Sequence, residues 1–316
     1  MYTTNLKVNS LSTINSKLNN SAFESWTSFL DVKPSTIETY KKSIRQFSAF
    51  LRLNNISSPT REDILSYKKS LLENRKPTTV NTYLMAVKQF FKWTEINGIY
   101  PNIAVNIKGV KLDKGFKKDC LTLNQVRKVL KSIDRNSIKG LRDYAIILLM
   151  VTTGLRTFEV MGANVEDFRN LGDFTVLYIQ SKGREGKNTY VKVSEPAEEA
   201  IRKYLSGRGT LNDKEPLFAS TAKRNEGGRL TTRSIRGIVK EILINSDLNS
   251  NRLTAHSLRH TTATLNLLNG GTPEETMQLL RHSNLNTTLI YSHNLKRAKN
   301  NSEIRISNAI FEPELI

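Results

Sequence analysis

The chain has 316 residues, 38% of them hydrophobic, which is enough to bury more than one core, so two domains are expected. Lys and Arg number 48 against 29 Asp and Glu, a formal net charge of +19 that points to a polyanionic partner, nucleic acid foremost. A single cysteine, Cys120, excludes an intramolecular disulfide and a thiolate metal cluster, and no apolar run reaches membrane-spanning length, so a reducing cytoplasm, no membrane insertion and no secretory leader are expected.

Residues 1–20, rich in Asn, Ser and Thr, read as a flexible N-terminal arm. Residues 21–100 read as a small all-helical domain. Ser35-Thr36-Ile37-Glu38 has the form of a capping box, and Ile37, Tyr40, Ile44, Phe47 and Leu51 follow at helical spacing. A second helix is expected from near Thr60, burying Ile64, Leu65, Leu71 and Leu72, and a third from about Thr78 through Val80, Leu84, Val87, Phe90 and Phe91. Lys41, Lys42, Arg45, Lys68, Lys69 and Lys88 interrupt these apolar positions, as suits helices laid against phosphates. Residues 1–110 carry 15 Lys and Arg against 7 Asp and Glu, so +8 of the net charge lies there and +11 in the remainder. Both parts are basic, which suits a protein that closes around a duplex.

Residues 101–120, with turn formers and the charged run from Lys111 to Asp119, read as an interdomain linker. From 121 to 294 a larger mixed α/β domain is expected. It opens with a Thr122-capped helix and contains a strongly apolar helix over Tyr144–Val151. Phe174–Ser181 and Asn188–Val193 read as strands joined by a turn with Gly183 and Gly186, and helices resume after Pro196. Residues 295–316 form a tail whose Ile304, Ile306, Ile310 and Phe311 suit docking on a neighbouring protomer or packing on their own domain. The fold class is therefore mainly α with a small antiparallel β-sheet.

Three stretches concentrate residues suited to phosphate chemistry: Thr153-Gly154-Leu155-Arg156-Thr157-Phe158-Glu159, His256-Ser257-Leu258-Arg259-His260, and Leu280-Arg281-His282 followed by Tyr291. Attack on a phosphodiester builds negative charge on its nonbridging oxygens, and two forked guanidiniums match that geometry better than ammonium groups do; Arg156 and Arg259 fit the role. His256 lies three residues before Arg259 and shares its helix face, while adjacent His260 is expected to face elsewhere in a structural role. There is no Gly-rich phosphate loop and no carboxylate cluster for magnesium, so no cofactor and no metal are expected.

Together the stretches resemble the tyrosine recombinases, or phage integrase family, whose pattern is an Arg after Thr-Gly-Leu, a His-x-x-Arg, a later His and a Tyr nine residues beyond it. The resemblance implies an N-terminal helical core-binding domain before a catalytic domain, closing as a C-shaped clamp on DNA. It implies Tyr291 as nucleophile, Arg156 and Arg259 as phosphate clamps, His256 as general base and His282 as a hydrogen-bond donor to phosphate. Lys182, on a β-hairpin, would protonate the leaving oxygen, and Glu159 would orient the site. Arg281 stands where a glycine usually precedes the histidine. The implied activity is site-specific cleavage and rejoining of double-stranded DNA through a 3′-phosphotyrosyl intermediate and a Holliday junction. A homotetramer would carry it out, with accessory DNA-bending proteins in some systems, and the enzyme would be Xer-like or belong to a mobile element. Type IB topoisomerase-like religation by one protomer and a catalytically idle DNA-binding regulator are the competing readings.

Overall fold

The computed structural model describes residues 20–112, 119–180, 186–209, 211–298 and 300–311. The expected N-terminal arm, apart from Asn20, and the turn bearing Lys182 and Gly183 lie outside these residues. The chain divides into two compact units, 1–115 and 116–316.

The first unit contains helices α1 (Asn20–Phe29), α2 (Pro34–Leu53), α3 (Arg61–Asn74) and α4 (Pro77–Ile96). The expected capping box at Ser35 is not formed: Pro34 takes the first helical position, where its fixed φ and missing N–H are harmless, and Lys33 is the uncapped extended residue before it. Ser35 is already inside the helix, its carbonyl accepting from Thr39 Oγ1 at 2.9 Å. Helix α3 does begin at a capping box, the Thr60 N–H donating to Asp63 Oδ2 at 2.8 Å. It buries Ile64, Tyr67 and Leu71, whereas Leu65 and Leu72, expected inside, are each 41% exposed. A single stripe at spacing three and four turns the position after each buried residue about 100° away from the core.

Trp26, Ile44, Phe47, Val87 and Phe91 complete that core. Part of the stretch read as linker packs there too: Ala104 and Ile107 are buried in the same cluster. Asn81 brackets Val110 with two side-chain bonds of 2.7 and 2.9 Å. Further on, Asp119 pairs with Arg252 at 2.8 Å within the second unit.

The second unit begins with α5 (Leu123–Lys131), capped by Thr122 and Gln125 as expected, then α6 (Ile138–Thr153) and α7 (Thr157–Gly162). Strands β1 (Phe168–Leu171), β2 (Phe174–Ile179) and β3 (Thr189–Lys192) form one antiparallel sheet in the order β1-β2-β3. Register pairs Leu171 with Phe174 and Tyr178 with Tyr190. The sequence reading anticipated β2 and β3 but not β1, whose Phe-Arg-Asn-Leu leaves its last three residues exposed and shows no alternation. The two-residue Gly172-Asp173 turn, with Gly172 at φ +57°, is the local signal for that hairpin.

Helices α8 (Glu195–Arg208), α9 (Thr232–Asn245), α10 (Ala255–Leu268), α11 (Pro273–Leu280), α12 (Asn286–Ala298) and α13 (Ser302–Phe311) follow. The apolar helix α6 is the axis, packing on α8 and α10 with Ile146, Leu149 and Met150 fully buried. Helix α13 buries none of its residues; Ile304, Ile306, Ile310 and Phe311 are 58–80% exposed. Among the described residues no helix is long and apolar enough to cross a membrane.

Candidate active site

Helix α6 ends at Gly154, whose left-handed φ of +63° reverses the chain toward Leu155 and Arg156. Glycine is needed there twice over, because a Cβ would meet Leu280 Cδ2 at 2.5 Å. Gly154→Ala is expected to destabilise the protein by about 1–3 kcal/mol, read as a lower unfolding midpoint in urea, since both backbone strain and the clash act in the native state.

Arg156 sits at the N-terminal boundary of α7, and one carboxylate fixes it in two ways. Glu159 Oε2 accepts the Arg156 backbone N–H at 2.7 Å, while Oε1 accepts from Nη1 at 2.9 Å. The Glu159 side chain is fully buried and takes a second guanidinium, Arg281 Nη2, at 3.2 Å. Arg281 follows α11 with φ +55°, a backbone state that glycine adopts freely and a side chain occupies at a cost of about 1–2 kcal/mol. Its guanidinium offsets that strain by donating to the carbonyls of Leu279 at 2.7 Å and of Thr153 and Gly154 at 3.4 Å. Arg281 therefore fastens the end of α11, and with it His282, to the α6–α7 turn.

Arg259, on α10, is only 2% exposed. Its Nη1 donates to the Gly154 carbonyl at 2.5 Å and its Nη2 to the Leu280 carbonyl. Burial, reinforced by Arg156 and Arg281, pulls its guanidinium down to about 9. Two guanidiniums thus pair with the buried carboxylate of Glu159 while Arg259 is held beside them by backbone carbonyls, a concentration of positive charge that an arriving anion relieves.

Tyr291 lies on α12 and is 6% exposed, packed with Ala263 and Leu280. Burial pushes its hydroxyl up to about 12, with Arg259 and Arg156 pulling the other way. The hydroxyl is hydrogen-bonded to His260 Nδ1 at 2.5 Å. His260 thus turns into the site, contrary to the expectation that it faces elsewhere, and its ring meets that of His256 edge-on with centroids 4.5 Å apart. The overlooked signal was its spacing: four residues from His256 is also one helix face. His256 itself is exposed on the outer side of this pair. His282 Nδ1 bonds Thr288 Oγ1 at 2.8 Å, coupling the turn after α11 to the start of α12.

Burial, together with the surrounding cations and imidazoles, lowers both His260 and His282 to about 4, against a usual histidine value of 6.5. The folded state therefore binds fewer protons than the unfolded chain across this interval, so the stability present above pH 6.5 is lost as pH falls toward 4. Urea midpoints measured at pH 7, 5.5 and 4.5 should fall in that order, and His282→Asn should flatten the decline.

Of the sequence-predicted residues, Arg156, Arg259, His282 and Tyr291 are drawn together around the Gly154 turn, and His256 joins them through His260. Lys182 lies outside the described residues; its neighbour Lys187 pairs with Asp167 in the turn before β1. Among the described residues no group of three or more His, Cys, Asp or Glu is placed to hold a metal ion.

A family model for the phage integrase family matches residues 119–298, and one for the phage integrase N-terminal SAM-like domain matches residues 9–97. Tyrosine recombinase XerC of Caldanaerobacter subterraneus subsp. tengcongensis is 36% identical over 176 residues, 55% of this chain and 46% of that protein, so the chain spans about half the length of that relative. Tyrosine recombinase XerC of Pelobacter propionicus is 28% identical over 269 residues, 83% of this chain and 86% of that protein. In fold, the chain is similar to XerH site-specific recombinase bound to palindromic difH substrate in a post-cleavage complex, with a TM-score of 0.70 and 22% identity over 96% of this chain and 87% of that one.

Proposed function

Because the chain belongs to the phage integrase family, we propose that it is a site-specific recombinase that cuts and rejoins double-stranded DNA through a covalent 3′-phosphotyrosyl intermediate on Tyr291. The observation that supports this most is the surplus of guanidinium over carboxylate beside a buried phenol. Among the described residues Arg156 and Arg281 pair with Glu159 while Arg259 bonds to backbone carbonyls, and Arg156 and Arg259 act directly on the electrostatics of the Tyr291 hydroxyl. In this reading Arg156 and Arg259 receive the scissile phosphate, His282 donates to it, and His256 belongs to the proton path of the phenol. Lys182 protonates the departing 5′ oxygen. Bond energy is retained in the phosphotyrosine, so a 5′-hydroxyl from a partner strand reverses the step without a nucleotide cofactor.

Recombination of two duplexes, each cut on both strands, calls for four protomers, and the exposed apolar face of α13 favours that assembly over a lone swivelling protomer. Four copies on DNA, each lending α13 to a neighbour, is the arrangement proposed. A nicked suicide duplex, which traps the covalent intermediate, tests the chemistry. Strand exchange between two labelled duplexes tests the outcome: adduct without exchange would make the protein a topoisomerase-like enzyme, and no adduct a DNA-binding regulator.

A further inference from the structure

We propose that His260, rather than His256, is the group that takes the proton from the Tyr291 hydroxyl and holds it until the phenolate leaves, with His256 packed edge-on against the His260 ring. The inference deepens the reading of Tyr291 as nucleophile and rests on it. Its basis is the order of the three rings. The His260 and Tyr291 rings lie 5.4 Å apart at 51°, joined by the 2.5 Å bond from the phenol oxygen to Nδ1. On its other side His260 meets the exposed His256 at 4.5 Å and 82°. The His260 ring thus touches both the buried phenol and the exposed His256 ring.

The chemistry of the inner ring suits an acceptor. Burial keeps His260 neutral and keeps the phenol protonated, so the hydroxyl is the donor and Nδ1 offers its lone pair, with the ring hydrogen on Nε2. Free transfer between groups so far apart in acidity is strongly uphill, which places it within the attack itself. As the Tyr291 oxygen bonds to phosphorus, its O–H bond breaks and the proton moves to Nδ1. The bond from phosphorus to O5′ then breaks with its electron pair on O5′, which is protonated by a separate acid, the role proposed for Lys182. The imidazolium left on His260 lies beside Arg259 and the His256 ring on α10 and the His282 ring after α11, all of which disfavour a positive charge there. That placement is unfavourable alone and favourable beside a phosphorane carrying extra negative charge. In rejoining, the same proton returns to the leaving phenolate.

The test uses the full chain and a suicide duplex under single-turnover conditions. His260→Asn keeps an acceptor oxygen near the Nδ1 position but removes its basicity. It should bind the duplex within about twofold of the unsubstituted protein yet cleave on the order of 10²–10⁴ times more slowly, and the fall in rate on acidification should disappear with it. Cleavage within threefold, with the acid limb intact, overturns the proposal, as does loss of that limb in His256→Asn but not in His260→Asn. If His260→Asn loses its cooperative thermal transition, ¹⁵N-histidine spectra of the intact protein decide instead. The His260 Nδ1 resonance must move on Tyr291→Phe, and an unmoved resonance rejects the contact. An adduct that survives Tyr291→Phe is a separate result, removing the nucleophile assignment itself.

Discussion

Tyr291→Phe is expected to abolish the covalent adduct with a nicked suicide duplex, a loss on the order of 10⁴ or more in single-turnover cleavage, while leaving DNA affinity unchanged. The ring is packed with Ala263 and Leu280, and phenylalanine retains that packing. The hydroxyl and its bond to His260 disappear, a stability change of about 1 kcal/mol, too small to unfold a protein of this size. Loss of adduct with an intact thermal transition is therefore interpretable as loss of chemistry. Retention of adduct, read by the mobility of protein-linked DNA in denaturing gels, would show that another side chain attacks.

Arg259→Ala should damage folding and chemistry together. Its guanidinium ties the carbonyls of Gly154 and Leu280, one at the end of α6 and one at the end of α11, and removing it leaves both buried acceptors without that donor. A loss of about 1–3 kcal/mol for each acceptor is expected from this alone. Arg259→Lys separates the two effects. Lysine keeps the charge and loses the fork, so it reaches one carbonyl or the other but cannot span both while facing a phosphate. Cleavage by Arg259→Lys should fall by on the order of 10²–10³ even where urea unfolding shows most of the stability restored. A lysine variant that cleaves at the original rate would mean the site needs only positive charge here, and the forked geometry would be irrelevant.

What could be read in advance follows from which signals are local. The helices over Thr60, Thr78 and Thr122 were legible because periodicity and caps are set within one turn, and the same holds for β2 and β3. Strand β1 was not, since Phe168-Arg169-Asn170-Leu171 carries a strand only through pairing with β2. The misplaced start of α2 reflects a competition at one turn, in which Pro34 outranks the Ser35 hydroxyl for the boundary. At the site, the motif residues were legible as a set, but their support was not. That Arg281 reaches back 122 residues to Glu159 depends on tertiary placement of the α11 end, and nothing in the local sequence announces it. His260 differs: helical spacing alone brings it beside His256.

The doubly engaged carboxylate of Glu159 ties the history of three positions together. With glycine at residue 281, as the family resemblance would have it, Glu159 would keep Arg156 alone of its two guanidinium partners, the carbonyls of Leu279 and Thr153 would lose the Arg281 side chain, and that of Gly154 would keep only Arg259 of its two arginine donors. An exchange at 281 therefore changes the environment of residue 156 without touching it. Gaining or losing the arginine at 281 thus amounts to resetting the α6–α7 turn from a distant part of the chain.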